Sequence, residues 1–323
     1  MWGERKSKSA EPSSRTSVVG ARPVRPAVES MDFLEHRELA KKLLSAVQRS
    51  KGAGMTRLLT QTSKMLYLKW IRMAHKTFEI EVPTFWGEKM AVILPEVVST
   101  SIWRYGYFED EVCLFMLRQL QEGMTFIDIG AHFGFFTLLG ARLVGPRGQV
   151  LSIEPVPYTF QQLQKNTHGH FNVRAYNVAA FDRSTEIDLY DFGLEGCAYN
   201  SVYGLRTKKG DFTSDRRIVA RAMKVDDLIH EKKYDDVNLI KIDAESSEMH
   251  VLNGLVKTLK TYKPHVIIEV GDFGIQGAER SSTIVEWLQE KGYSPYGVEN
   301  GAILKHKKKE WYEYGNILFV PEK

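Results

Sequence analysis

The chain has 323 residues, 43% of them hydrophobic, with 44 Lys and Arg against 40 Asp and Glu and a net charge of +4. That hydrophobic share fills a core and excludes a chain disordered throughout, and so mild a basic excess does not argue for a nucleic-acid partner. Two cysteines without C-x-x-C or Cys/His spacing suggest neither a disulfide framework nor a zinc site, and no apolar run approaches the roughly 18 residues of a membrane span.

In chain order, residues 1–30 are rich in Ser, Arg and Pro and poor in large apolar side chains, which reads as a disordered basic tail. Without a secretory apolar core the expected location is cytoplasmic, with an organelle transit peptide as the alternative reading of this Arg- and Ser-rich leader. From Met31 to about His75 two amphipathic helices are predicted: Leu39, Leu43 and Val47 share one face, and Met65, Leu66, Trp70 and Met73 another. The second carries Arg57, Lys64, Lys69 and Arg72, so it suits a membrane surface, but packing on the main domain or on a second subunit is the simpler expectation. The stretch "FEIEVPTFWGEKMAVILP" alternates around a Gly turn and predicts a hairpin. Residues 31–123 therefore read as an accessory region ahead of a main domain at 124–323.

From Met124 onward short apolar runs alternate with helical patterns, the signature of an α/β domain with a mostly parallel sheet. The runs are "TFIDIG", "QVLSIEP", "VRAYNVAAFD", "VNLIKID", "HVIIEV", "YSPYGV" and "NILFV", with helices expected at 135–143, 158–166, 249–259 and 283–291. Residues 183–222 break the alternation with short strand-like pieces and loops.

The stretch "FIDIGAHFGFFTLLGARL" is a strand entering a Gly-containing turn and then a helix, an arrangement that lets backbone approach a nucleotide-like ligand. Gly130 and Gly134 are separated by three residues, which is not the G-x-G-x-x-G spacing of a dinucleotide site. Glu154, one β-α-β step later, stands where a carboxylate accepts ribose hydroxyls, and Asp182 closes the third run, where an adenine amino group would be met. Near the acceptor end, alternation in "KIDAESSEMH" predicts Lys241, Asp243 and Glu245 on one face, with Glu248 and His250 on the first turn of the next helix. Such a cluster can take the proton of a reacting hydroxyl, and which of Asp243, Glu245, Glu248 or His250 does so is open at this level. Asp243, Glu245 and Glu269 are also hard oxygen donors suited to Mg²⁺, though no spacing demands a metal.

In order and spacing, "YGYFEDEV", "FIDIGAHFGFFT", "LSIEPVPYTFQQLQKN", "VAAFD", "KVDDLI", "LIKIDAESSEMHVLNG" and "PHVIIEV" resemble the FkbM-type family of S-adenosylmethionine-dependent methyltransferases over residues 95–320. The resemblance implies a Rossmann-like class I methyltransferase fold, with a seven-stranded, mostly parallel sheet, a final antiparallel strand and helices on both faces. It implies O-methylation of a small metabolite, natural product or glycan. By position, Asp128, Gly130, Ala131, His132 and Gly134 would hold the methionine part of the cofactor, Glu154 the ribose and Asp182 the adenine. Glu109 would close one side of the cofactor pocket, and Asp243 would lie near the reacting methyl. Two positions depart from the family pattern: His132 stands where Asn is usual, and Ser246 where Gly is usual. Three other readings remain. A nucleic-acid methyltransferase lacks its "NPPY" or "PC" motif here, a nicotinamide oxidoreductase lacks G-x-G-x-x-G and Y-x-x-x-K, and a non-catalytic relative would retain cofactor binding alone.

Overall fold

The computed structural model describes residues 31–51, 55–203, 214–232, 234–272, 274–299 and 301–322, so the tail read at 1–30 lies outside the described residues. Helices α1 (Met31–Lys51) and α2 (Met55–Met73) precede the hairpin of β1 (Phe78–Pro83) and β2 (Lys89–Leu94). Two helices that the sequence did not suggest follow, α3 (Val97–Tyr105) and α4 (Asp110–Gln119). The main layer then runs β3 (Thr125–Ile129), α5 (Phe135–Val144), β4 (Gln149–Ile153), α6 (Pro157–Asn166) and β5 (Val173–Tyr176). Strands β6 (Ala179–Ala180), β7 (Thr185–Tyr190) and β8 (Arg217–Met223) form a separate three-stranded sheet, with a 3₁₀ turn at Leu194–Tyr199. The chain closes with α7 (Val225–Lys232), β9 (Leu239–Ile242), α8 (Glu248–Asn253), α9 (Val256–Tyr262), β10 (His265–Val270), α10 (Ser281–Glu290), β11 (Tyr293–Glu299), β12 (Ala302–Lys305) and β13 (Gly315–Pro321).

The large sheet has the order β12-β11-β13-β10-β9-β3-β4-β5. Strands β5, β4, β3, β9 and β10 are parallel, and β13 inserts antiparallel between β10 and β11. This is the class I methyltransferase arrangement with eight strands instead of seven, because β12 pairs antiparallel with β11 at the edge. Two predicted elements are divided. The run "VRAYNVAAFD" supplies β5 to the large sheet and β6 to the small one. The helix expected at 249–259 breaks at Gly254, where a Cβ would stand 2.1 Å from the Phe181 carbonyl oxygen.

Alternation along the strands sorts two cores. Phe126, Leu239, Ile267 and Leu318 face the layer holding α1, α4 and α5, so the predicted accessory region shares a core with the sheet. Ile127, Ile240, Ile268 and Phe319 face α7, α9 and α10. Asp128 and Lys241 belong by the same alternation to the first face, which puts two charges inside an apolar layer. The strand order reverses at β3, between β4 and β9, and the carboxyl ends of those strands open a crevice there.

Candidate active site

That crevice is a cavity of about 720 Å³, within the size range of small-molecule sites. Its floor is the turn after β3. Gly130 has φ +76°, and a Cβ there would lie 1.8 Å from the Asp243 carbonyl oxygen, so only glycine lets the ends of β3 and β9 come this close. His132 follows at φ +50°, a left-handed position that Asn also tolerates well. Gly134, at φ +92°, starts α5 and packs against Leu163 without lining the cavity.

Glu154 lies at the end of β4, buried, with one oxygen accepting from the His132 backbone N–H at 2.9 Å and the other from Val156 at 3.0 Å. Burial pushes its pKa up to about 7, against the pull of those two hydrogen bonds. Asp128 is fully buried: Oδ2 accepts from Thr137 Oγ1 at 2.6 Å, while Oδ1 has no hydrogen-bond partner among the described residues. Glu109 sits in a left-handed residue at the start of α4. Its Oε1 accepts from the Tyr314 hydroxyl, its Oε2 is buried and likewise unpartnered, and burial with the nearby Asp243 charge raises its pKa to about 7. The cation facing these groups is Lys241, which donates to Asp243 Oδ2 at 3.0 Å and lies 5.0 Å from the Phe136 ring centroid. Burial disfavours its charge, but Asp243, Asp128 and Glu109 outweigh that and hold the ammonium above its usual pKa.

Of the predicted residues, Gly130, Ala131, His132, Glu154, Lys241, Asp243 and Glu245 line the cavity. Glu245 does so from a turn, at φ +51°, and not by strand alternation, because β9 ends at Ile242. Glu248, Asp182 and His250 stand elsewhere. Glu248 Oε1 accepts from the Ala244 and Ser246 N–H groups, each at 3.1 Å, and so fastens the turn that carries Ser246 at φ +75°. Asp182 follows β6, not β5, and binds His250 Nδ1 at 2.6 Å, with the imidazole stacked on Phe181. Asp243, Glu245 and Glu269 offer oxygens within 4.8 Å of one another, but Lys241 already neutralises Asp243.

Sequence reasoning missed three contributors. Cys197 lines the cavity and lies 3.2 Å from His132 Nε2, whose pKa burial lowers to about 3, leaving a neutral imidazole. Glu96 is fully buried, caps α3 through the Val98 and Ser99 N–H groups and stands 3.9 Å from the same nitrogen. Tyr314 joins the rim across 205 residues of sequence. Only Glu96 left a signal, as an acceptor directly before an apolar helical run.

Comparison with known proteins gives concordant results. The chain is 28% identical over 191 residues to "Methyltransferase 1" of Beauveria bassiana, covering 52% of this chain and 71% of that protein. It is 23% identical over 175 residues to the hexuronic acid methyltransferase AglP of Haloferax volcanii, covering 53% of this chain and 66% of that one. Among solved structures, methyltransferase FkbM from Methylobacillus flagellatus KT aligns with 15% identity and a TM-score of 0.39, over 90% of this chain and 59% of that chain. The model of the methyltransferase FkbM domain matches residues 128–295, more than half of the chain, and on that match the chain belongs to the FkbM methyltransferase family.

Proposed function

We propose that the protein is an S-adenosylmethionine-dependent O-methyltransferase acting on a hydroxyl of a small metabolite, natural product or glycan. The observation that carries this reading is the excess of buried carboxylate at one sheet edge. Asp128, Glu109 and Asp243 share one nearby cation, Lys241, Glu154 lies within reach of the Asp128 and Asp243 charges, and two of these oxygens lack a partner among the described residues. Such a site suits a ligand that brings positive charge and hydrogen-bond donors, and S-adenosylmethionine brings an α-ammonium, a sulfonium and a ribose diol. Glu154 would receive the diol beside the close backbone at Gly130, and Asp128 and Glu109, which do not line the cavity, would favour the ammonium by their charge from behind Lys241 and Asp243.

When bound, the cofactor supplies an electrophilic methyl group. An acceptor hydroxyl that took this methyl would give up its proton to a base. Among the clustered residues, Asp243 and Glu245 are the candidates that line the cavity, whereas Glu248 is engaged by the turn and His250 by Asp182. Lys241 orients Asp243 through the 3.0 Å hydrogen bond to its Oδ2. The Val97–Val98 start of α3 and residues 197–202 complete the wall on which an acceptor would rest. Similarity to a hexuronic acid methyltransferase supports including hexuronic acids among the acceptors tried. The test is transfer of labelled methyl from the cofactor to a panel of uronic-acid glycans and hydroxylated metabolites. Turnover that Asp243→Asn abolishes supports the reading, and cofactor binding without turnover across the panel would replace it with a non-catalytic one.

A further inference from the structure

Helix α2 buries only one of its faces. Leu68 and Ile71 are buried and pack with Leu94, Phe78 and Trp103. On the opposite side Leu66 is 63% exposed, Trp70 51% and Met73 72%. Their i, i+4, i+7 spacing makes one continuous outward stripe. The stripe is held firmly: Trp70 stacks on Tyr67 at 5.9 Å and on Phe78 at 6.2 Å between ring centroids. Three large apolar side chains displayed together on a helix face are more than the scattered exposure of an ordinary surface.

Charge decides among the occupants such a face could take. Met55–Met73 contains no Asp or Glu but carries Arg57, Lys64, Lys69 and Arg72, and Lys76 follows directly. On the adjoining strand the acidic side chains are engaged by cations from elsewhere, Glu79 by Lys165 and Glu81 by Lys89. Glu195 lies 3.9 Å from Arg72, and among the described residues no ion pair engages Lys69 or Lys76. A second copy docking α2 on α2 would bring these cations together, and residues 1–30, with six Lys or Arg against three Glu, would add to the repulsion if they folded over the stripe. An anionic lipid surface complements every part of the face, with Trp70 and Tyr67 at headgroup level, Leu66 and Met73 below them and the cations against acidic headgroups.

We infer that α2 is a docking surface for an anionic bilayer, which its exposed Leu66–Trp70–Met73 stripe enters while Lys69, Arg72 and Lys76 bind the headgroups. This inference is independent of the methyl-transfer reading. The test is co-sedimentation of the full chain with sucrose-loaded vesicles, one set of phosphatidylcholine alone and one with roughly a third phosphatidylglycerol. Expected are binding to the anionic set, little to the neutral set, and weakening with added salt. Leu66→Glu with Met73→Glu should lower vesicle affinity at least about tenfold, and Lys69→Glu with Lys76→Glu about as much, at roughly fivefold per cation removed. Both pairs are exposed, so circular dichroism and melting temperature should stay at wild-type values, and affinity for S-adenosylhomocysteine should not change. No binding to anionic vesicles, or binding that both double variants retain, overturns the inference. So does a concentration-dependent dimer, seen by analytical ultracentrifugation, that Leu66→Glu with Met73→Glu dissolves, because that result gives the face to a second copy.

Discussion

Replacing Gly130 with Ala tests the geometry on which the site depends. The new Cβ would start 1.8 Å from the Asp243 carbonyl oxygen and 3.0 Å from its carbon, and both are backbone atoms that no side-chain rotation can move. Relief requires the ends of β3 and β9 to part by more than an ångström, which breaks the 3.1 Å bond from Asp243 N to Ile129 O and carries Asp243 away from the floor. A non-glycine residue at φ +76° costs about 1–2 kcal/mol. A buried N–H left without its acceptor costs about 1–3 kcal/mol more. The sum, roughly 2–5 kcal/mol, lowers the melting temperature by roughly 4–20 °C in a domain of this size. Gly87→Ala is the control: φ is +94°, nothing lies within 4 Å of the added carbon, and only the first cost of about 1–2 kcal/mol applies. Scanning fluorimetry gives the stability, and isothermal titration with S-adenosylhomocysteine gives affinity, which should fall at least about tenfold in Gly130→Ala alone. A Gly130→Ala protein that melts within about 2 °C of wild type and binds normally would refute the reasoning.

Binding should also depend on pH. Glu154 and Glu109 have pKa values raised to about 7, so they gain protons as pH falls through that value, and affinity for S-adenosylhomocysteine should be highest above pH 7 and decline below it. Glu154→Gln should flatten part of that profile, and a pH-independent wild-type affinity from 5.5 to 8.5 would count against both assignments. Glu96, likewise raised to about 7, favours the fold most while neutral. Its contribution is fully present below the unfolded value of 4.5 and is lost as pH rises through about 7, so the stability deficit of Glu96→Gln should narrow from pH 5 to pH 8 in denaturant titrations. Ser246→Gly should relieve the left-handed strain at φ +75° and stabilise by about 0.5–1 kcal/mol, read as a rise in melting temperature. Glu248→Ala should destabilise by about 2–4 kcal/mol through two unpaired N–H groups, while His250→Ala leaves turnover within about fivefold and Asp243→Asn lowers it at least about a hundredfold.

Much of this site is legible from local pattern, because strand alternation and turn chemistry act over a few residues. Gly130 announces a close approach, Glu154 ends its strand one β-α-β step on, and the alternation of Leu239, Ile240, Lys241 and Ile242 sorts faces correctly. What local pattern misses is set by contacts distant in sequence. Asp182 reads as a third strand end, yet pairing with β8 draws β6 out of the large sheet and turns Asp182 to His250, 68 residues away. Glu248 looks like a proton acceptor beside Asp243, whereas the tight turn at Glu245 and Ser246 exposes N–H groups that claim it. The eighth strand was hidden because β12 is short and its burial is slight, so it lacks the apolar signal of the inner strands. Cys197 gave no signal at all, since its meaning comes only from His132 across the cavity.

The most direct measurement of the central claim is titration of the wild-type chain with S-adenosylhomocysteine and, separately, with NAD, followed by Glu154→Ala. The account predicts one-to-one binding of S-adenosylhomocysteine, no heat from NAD, and affinity lowered by about ten- to a hundredfold in the variant, the worth of one or two hydrogen bonds to a charged acceptor. A folded chain that gives no heat with S-adenosylhomocysteine, or that binds it equally well without the Glu154 carboxylate, would contradict it.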